Sequence, residues 1–249
     1  LLAETLFFWF LLKGGTRNEL LAGAAIGLTL VVKPLLGFLL LLPLLNRQWR
    51  TFITAFGVPL VFNAIAWPLS ADPMGFIKNT VPYILETRDY FNSSILGNGI
   101  YYGLPMWLIL LLRVAAVVLA VISLWLLYRY YRVRDPLFWM LTSSGVVLIA
   151  SWLVLSLAQG YYSMMLFPFL MTVVLPNSVL RNWPAWLGVY GFMTMDRWLM
   201  WRWPTTGRFL EYMKITYGWS LMLVVVFAVL FISGFSNATN LTDGLDGLA

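Results

Sequence analysis

Residues 105–127 read Pro105-Met-Trp-Leu-Ile-Leu-Leu-Leu-Arg-Val-Ala-Ala-Val-Val-Leu-Ala-Val-Ile-Ser-Leu-Trp-Leu-Leu127. A helix needs about 20 apolar residues to cross the hydrocarbon of a bilayer. This run meets that length with a single charge, Arg113. Tyr128-Arg-Tyr-Tyr-Arg-Val-Arg134 follows it and puts three arginines in one short loop. Cytoplasmic loops are the ones that collect Arg and Lys, so the run crosses from outside to inside. Arg113 then lies in its outer third. There it either snorkels to the outer interface or completes a phosphate site.

The rest of the chain has the same character. Of 249 residues, 61% are hydrophobic and 10% charged, with a mean hydropathy of +0.83. Soluble domains carry roughly 25% charged residues. The expected fold class is an all-α polytopic membrane protein lying in the cell membrane. A net charge of +6 then sets orientation rather than nucleic-acid binding. There is no Cys and no His, which excludes disulfides, thiolate metal sites and Ser-His-Asp chemistry.

Further spans are read on both sides of that run. Leu1 to Leu12 is too short to cross and reads as the end of a longer helix. Leu20 to Leu45 is interrupted by Lys33-Pro34 and flanked by Lys13 and Arg17 before, Arg47 and Arg50 after. It is either a re-entrant helical pair or one kinked span. A break inside a membrane is tolerated when it is buried in protein or lines a wet cavity, and an intramembrane Lys needs an anionic partner. Thr51 to Leu69 runs outward with Pro59 and Pro68 as kinks, and Leu137 to Leu157 runs outward again. Tyr161 to Val179 returns, Trp183 to Met195 crosses weakly outward, and Ile215 to Ile232 is the last span. By this parity 70–104, 158–163 and 196–214 share the outer face. The four basic residues Arg197, Arg202, Arg208 and Lys214 there oppose the positive-inside rule: either the weak span before them is misread or the patch binds an external anion.

The main polar stretch is 70–104. Its second half runs Glu86-Thr-Arg-Asp-Tyr-Phe-Asn-Ser-Ser-Ile-Leu-Gly-Asn-Gly-Ile-Tyr-Tyr-Gly103. Charges, amides, hydroxyls and rings alternate there, a surface suited to a sugar and a phosphate. The plainer reading is an ordered loop whose polar groups face water.

Five stretches carry a family resemblance: Gly27-Leu-Thr-Leu-Val-Val-Lys-Pro-Leu-Leu-Gly37, Leu41-Leu-Pro-Leu-Leu-Asn-Arg-Gln-Trp-Arg50, Thr87-Arg-Asp-Tyr-Phe-Asn-Ser-Ser-Ile-Leu-Gly-Asn-Gly99, Ser156-Leu-Ala-Gln-Gly-Tyr-Tyr-Ser-Met-Met-Leu-Phe-Pro168 and Pro176-Asn-Ser-Val-Leu-Arg-Asn-Trp-Pro-Ala-Trp-Leu-Gly-Val-Tyr-Gly191. They resemble the AftC-type arabinofuranosyltransferases of mycobacteria and corynebacteria, polyprenyl-phosphate-sugar enzymes of the GT-C class. The resemblance implies the C-terminal portion of a GT-C-like transmembrane helical bundle. It implies transfer of arabinofuranose from decaprenyl-phospho-arabinose to cell-wall arabinan as α-(1→3) branches, without a cofactor. It also implies that the family's carboxylate lies upstream of Leu1, which leaves the catalytic residue of this chain unassigned.

Such a transfer needs a carboxylate to deprotonate the acceptor, positive charge for the departing phosphate and a groove for the prenyl tail. The donor-phosphate candidates are Arg88, Lys33 and Arg113, with Arg88 first because a guanidinium grips phosphate oxygens bidentately. The sugar-binding candidates are Asp89, Tyr90, Asn92 and Asn98, with Gln159, Tyr161 and Tyr162 opposite. For the tyrosines the plain alternative is an aromatic belt at the interface. Asp89 or Glu86 could stand in as base.

The tail Ser236-Asn-Ala-Thr-Asn-Leu-Thr-Asp-Gly-Leu-Asp-Gly-Leu-Ala249 resembles a different family, the MraY-type phospho-N-acetylmuramoyl-pentapeptide transferases. That likeness implies Mg²⁺ at Asp243 and Asp246, since Mg²⁺ takes one or two carboxylates plus substrate phosphates. The paired aspartates and histidines of that family are missing here. The expected division is a transmembrane region over 1–232 and a tail over 233–249. A catalytically incomplete membrane fragment is the third reading.

Overall fold

The computed structural model describes residues 1–88, 91–194 and 201–246, with side chains omitted at Ile84 and over 235–246. Among the described residues there is no strand. Four helical stretches are long and apolar enough to cross a membrane: Trp49–Leu69, Met106–Tyr130, Pro136–Val154 and Pro204–Gly234. The chain is an all-α polytopic membrane protein. It separates into two compact units, Leu1–Thr87 and Arg88–Ala249. The division falls inside the stretch 70–104 that the sequence presents as one loop.

In the first unit, α1 (Leu2–Lys13) and α2 (Thr16–Val32) form a hairpin. Gly14 and Gly15 turn it with φ of 59° and 83°, which suits residues without a Cβ. The expected break follows. Lys33 leaves the helix in an extended conformation (φ −152°, ψ 107°), as the residue before a proline prefers. A 3₁₀ segment, Pro34–Leu40, and α3 (Leu41–Leu45) then lead to α4 (Trp49–Ala66).

The return is direct. Gln48 Nε2 donates to the Leu11 carbonyl at 3.0 Å, and Thr51 Oγ1 donates to the Glu19 carbonyl at 3.0 Å. The start of α4 therefore lies beside the start of α2, and the two helices run parallel. Of the two readings of 20–45, the re-entrant pair is the one observed, with Lys33 at its apex. Gly23 and Gly27 let α2 and α4 approach. A Cβ at Gly23 would sit 2.6 Å from the Thr51 carbonyl oxygen, and one at Gly27 would sit 2.8 Å from the Val58 Cβ. This is the small-xxx-small contact by which helices associate in lipid. After α4, Asp72 caps α5 (Pro73–Gly75), and α6 (Val81–Leu85) ends the unit.

The second unit is built around α9 (Pro136–Val154), which is buried along most of its length. A helix apolar on every face belongs in such a position. Before it come α7 (Ile95–Tyr101) and α8 (Met106–Tyr130). After it, Gly160–Leu166, α10 (Phe167–Leu170) and Met171–Val174 form an irregular return. Gly145 admits the Phe169 ring there, since a Cβ would lie 2.5 Å from Phe169 Cγ. Then come α11 (Trp183–Met193), α12 (Pro204–Arg208), a π-turn (Phe209–Met213) and α13 (Lys214–Asp246). Trp152 packs on Trp219 at the centre, with ring centroids 5.2 Å apart. The weakly predicted crossing at 183–195 forms α11, which crosses α13 through glycines. A Cβ at Gly218 would lie 2.7 Å from both the Gly188 carbonyl oxygen and the Phe192 nitrogen. No break in helix marks the boundary expected between 232 and 233, because α13 runs through it.

One end of this unit gathers the Tyr131–Asp135 loop, where Asp135 caps α9 and accepts from Asn177 Nδ2 at 3.2 Å. The opposite end gathers 91–104, 158–163 and 204–214, which belong to the three segments that the parity reading put on one face.

Candidate functional site

Asn92 organises this second end. Its side chain is 1% exposed. Nδ2 donates to the carbonyls of Arg88 (2.7 Å) and Ser156 (2.8 Å), and Oδ1 accepts from the N–H groups of Ser94 (2.9 Å) and Ala158 (3.1 Å). Ser93 N–H adds a bond to the Ala158 carbonyl at 2.6 Å. An amide offers two donor hydrogens and one acceptor oxygen with two lone pairs. All of them go to backbone, so Asn92 is a clamp between two loops rather than the sugar contact the sequence suggested. Asn98 is also spent internally. Its Nδ2 donates to Thr216 Oγ1 at 2.7 Å, and Thr216 Oγ1 donates to the Ser93 carbonyl at 2.6 Å. Loop 92–98 is thereby tied to the first turn of α13.

Two cavities flank this partition. One is polar, about 180 Å³, and is lined by Phe91, Gln159, Tyr161, Glu211 and Tyr212 among others. The other is apolar, about 370 Å³, and lies among Leu104, Ala116, Leu119, Leu153, Leu223 and Val224, with Asn98 and Thr216 at its wall.

Several of the expected site residues are brought together. Gln159 and Tyr161 line the polar cavity. Tyr162 is buried beneath, its ring 4.9 Å from Tyr161 and 6.0 Å from Trp152. Arg88 is half-buried, and its charge reaches the Tyr162 hydroxyl. Asp89 and Tyr90 lie outside the described residues, as do the side chains of Asp243 and Asp246. Lys33 belongs to the first unit. Arg113 is not among the residues lining these cavities: its guanidinium donates to the Val154 carbonyl and closes the C-terminus of α9. Cations there satisfy orphan carbonyls and the negative end of the helix dipole. Glu86 is exposed.

In the basic patch, Arg208 stacks on Tyr101 at 3.7 Å, and Lys214 donates to Thr194 Oγ1 at 2.9 Å. Burial raises the Tyr102 phenol above its ordinary value, with Tyr101 adding to the effect and Arg208 opposing it.

Five residues of the polar cavity were not among the sequence candidates: Phe91, Gly160, Glu211, Tyr212 and Ile215. Glu211 carries a signal that could have found it, since it is an acidic residue among Phe209 and Tyr212 and between the cations Arg208 and Lys214. Among the described residues no three acidic side chains lie close enough to hold a metal ion.

A model of glycosyltransferase family 87 matches residues 1–156. The chain is 80% identical over 93% of its length to an α-(1→3)-arabinofuranosyltransferase of Mycolicibacterium smegmatis, of which it covers 54%. It is 66% identical over 98% of its length to the protein of that name from Mycobacterium tuberculosis, covering 57% of it. The Corynebacterium glutamicum protein of that name is 38% identical over 91% of the chain, which covers 53% of it. The chain thus spans about half the length of the curated relatives it matches. A match over 98% of the chain takes in most of 233–249 as well. No solved structure matches.

Proposed function

The chain belongs to glycosyltransferase family 87, and on that premise we propose that it serves in the transfer of arabinofuranose from decaprenyl-phospho-arabinose to cell-wall arabinan. The product is an α-(1→3) branch, and the site faces the outside of the plasma membrane. The observation that carries this is the 80% identity, over 93% of the chain, to a relative named for that linkage. The geometry supports it. The charge of Arg88 reaches Tyr162, Gln159 and Tyr161 line the polar cavity at the same end of the second unit, and the second cavity is apolar enough for part of a prenyl chain.

In this reading the acceptor hydroxyl loses its proton to a carboxylate, its oxygen bonds to the anomeric carbon, and the polyprenyl phosphate leaves. Arg88 meets the developing phosphate charge, as preorganised donors do in a water-poor site. A guanidinium takes the place a metal ion would otherwise fill. Gln159 and Tyr161 hydrogen-bond sugar hydroxyls, and Tyr162 supports the Tyr161 ring.

The test is transfer in membranes of cells expressing the protein, with synthetic decaprenyl-phospho-arabinose, an arabinan oligosaccharide and linkage analysis of the product. The parent should form α-(1→3) linkages with or without a chelator. Arg88→Ala should lose about 100-fold or more at equal protein level. No transfer by the parent would sink the function, and parent-like transfer by the variant would sink the role of Arg88.

A further inference from the structure

Glu211 is 5% exposed, yet it lines a cavity. It sits in the π-turn Phe209–Met213, where the chain passes from α12 into α13. π-turns of this kind recur at functional sites. Gln159 and Tyr161 line the same cavity, on the loop that the Asn92 clamp holds at Ala158. Phe91 and Tyr212 complete the wall, edge to face with centroids 5.8 Å apart and an interplanar angle of 87°. Phe91 has φ of 51°, a region that bulky side chains rarely enter and that persists where the surroundings over-determine it.

These groups suit one class of ligand. Aromatic faces take the C–H side of a sugar ring, while a carboxylate, an amide and a phenol take its hydroxyls. A carboxylate has about four acceptor positions, so Glu211 can receive ligand hydroxyls in addition to its contacts within the protein. Its negative charge disfavours a phosphate, which points to a neutral sugar rather than to the donor's head. At about 180 Å³ the cavity is smaller than the roughly 300–1,000 Å³ that holds drug-sized ligands. It is sized for one ring.

We propose that the cavity lined by Phe91, Gln159, Tyr161, Glu211 and Tyr212 binds one furanose ring of the neutral arabinan acceptor, with Glu211 accepting its hydroxyl hydrogens as the specificity residue. The ring's assignment to arabinan rests on the transfer proposed above; the binding of a neutral furanoside does not. A site built to hydrogen-bond a hydroxyl rejects the analogue that lacks it, because its own polar groups are then left without partners.

The experiment uses purified protein in detergent and two readouts. The first is saturable binding of methyl α-arabinofuranoside, followed by ligand-observed NMR. The second is transfer kinetics with an arabinofuranosyl oligosaccharide and its monodeoxy analogues. Glu211→Gln should raise the acceptor KM about tenfold or more, with kcat within about threefold and donor KM unchanged. It should also abolish the preference for the fully hydroxylated acceptor. Glu211→Ala should do the same, and the near-isosteric Gln variant keeps the test intact if Ala does not fold. Unchanged acceptor KM and unchanged deoxy discrimination in Glu211→Gln overturn the proposal, as does a change confined to donor KM. If the parent transfers nothing, the transfer reading has failed, and binding decides this one. Furanoside binding by the parent that is lost in Glu211→Gln upholds the subsite, and binding equal in both overturns it.

Discussion

Asn92 Nδ2 donates to the Ser156 carbonyl at 2.8 Å across 64 residues of sequence. With the bonds to Arg88, Ser94 and Ala158, one side chain sets the spacing of the loop that carries Arg88 and Phe91 and the loop that carries Gln159 and Tyr161. Asn92→Ala removes the partner of four backbone groups at once. Each buried group left without a partner costs about 1–3 kcal/mol, so a loss of about 3 kcal/mol or more is expected. Asn92→Asp should be at least as damaging, because it sets a carboxylate oxygen against two carbonyls. Thermal unfolding in detergent checks this: a midpoint for Asn92→Asp equal to that of the parent would show that the clamp does not hold the loops.

Arg113 closes α9 through the Val154 carbonyl, so Arg113→Gln should lower the unfolding midpoint by several degrees while donor KM stays within about twofold. Hydrogen bonds to charged groups contribute about 1.5–3 kcal/mol, and the buried carbonyl left behind accounts for the sign. A tenfold rise in donor KM with an unmoved midpoint would instead make Arg113 a phosphate ligand.

These two residues mark what the sequence could disclose. The break at Lys33-Pro34 was legible because proline restricts its predecessor locally. The spans were legible because lipid demands length and apolarity. Asn92 and Arg113 were visible as polar residues, but their partners lie 66 and 41 residues away, and no local rule names a partner at that range. Glu211 was hidden for a related reason. Only the convergence of three loops brings it to Gln159 and Tyr161.

The crossing of α11 and α13 gives a third test. Gly218→Ala places a methyl 2.7 Å from the Gly188 carbonyl oxygen and the Phe192 nitrogen. Both are backbone atoms, so the helices must separate, and overpacking of this kind costs about 1–3 kcal/mol. Gly57→Ala, where an added Cβ meets nothing within 4 Å, is the control. A lower midpoint for Gly218→Ala alone is expected, and equal midpoints would show that the helices do not touch there.

The apolar cavity gives the last test, because it separates tail binding from head binding. Prenyl chains gain about 0.8 kcal/mol for each CH₂ taken out of water, but in a membrane that gain is already made in lipid, and a groove adds packing and register instead. Ala116 lines the cavity, so Ala116→Phe reduces the space that a prenyl chain there would occupy. A donor whose tail lies there should show a KM raised about tenfold, with acceptor KM unmoved. A donor with a short, water-soluble prenyl tail should show a smaller change, since less of it reaches Ala116. Equal donor KM values in parent and variant for both tails would place the chain of the donor along another face of the bundle.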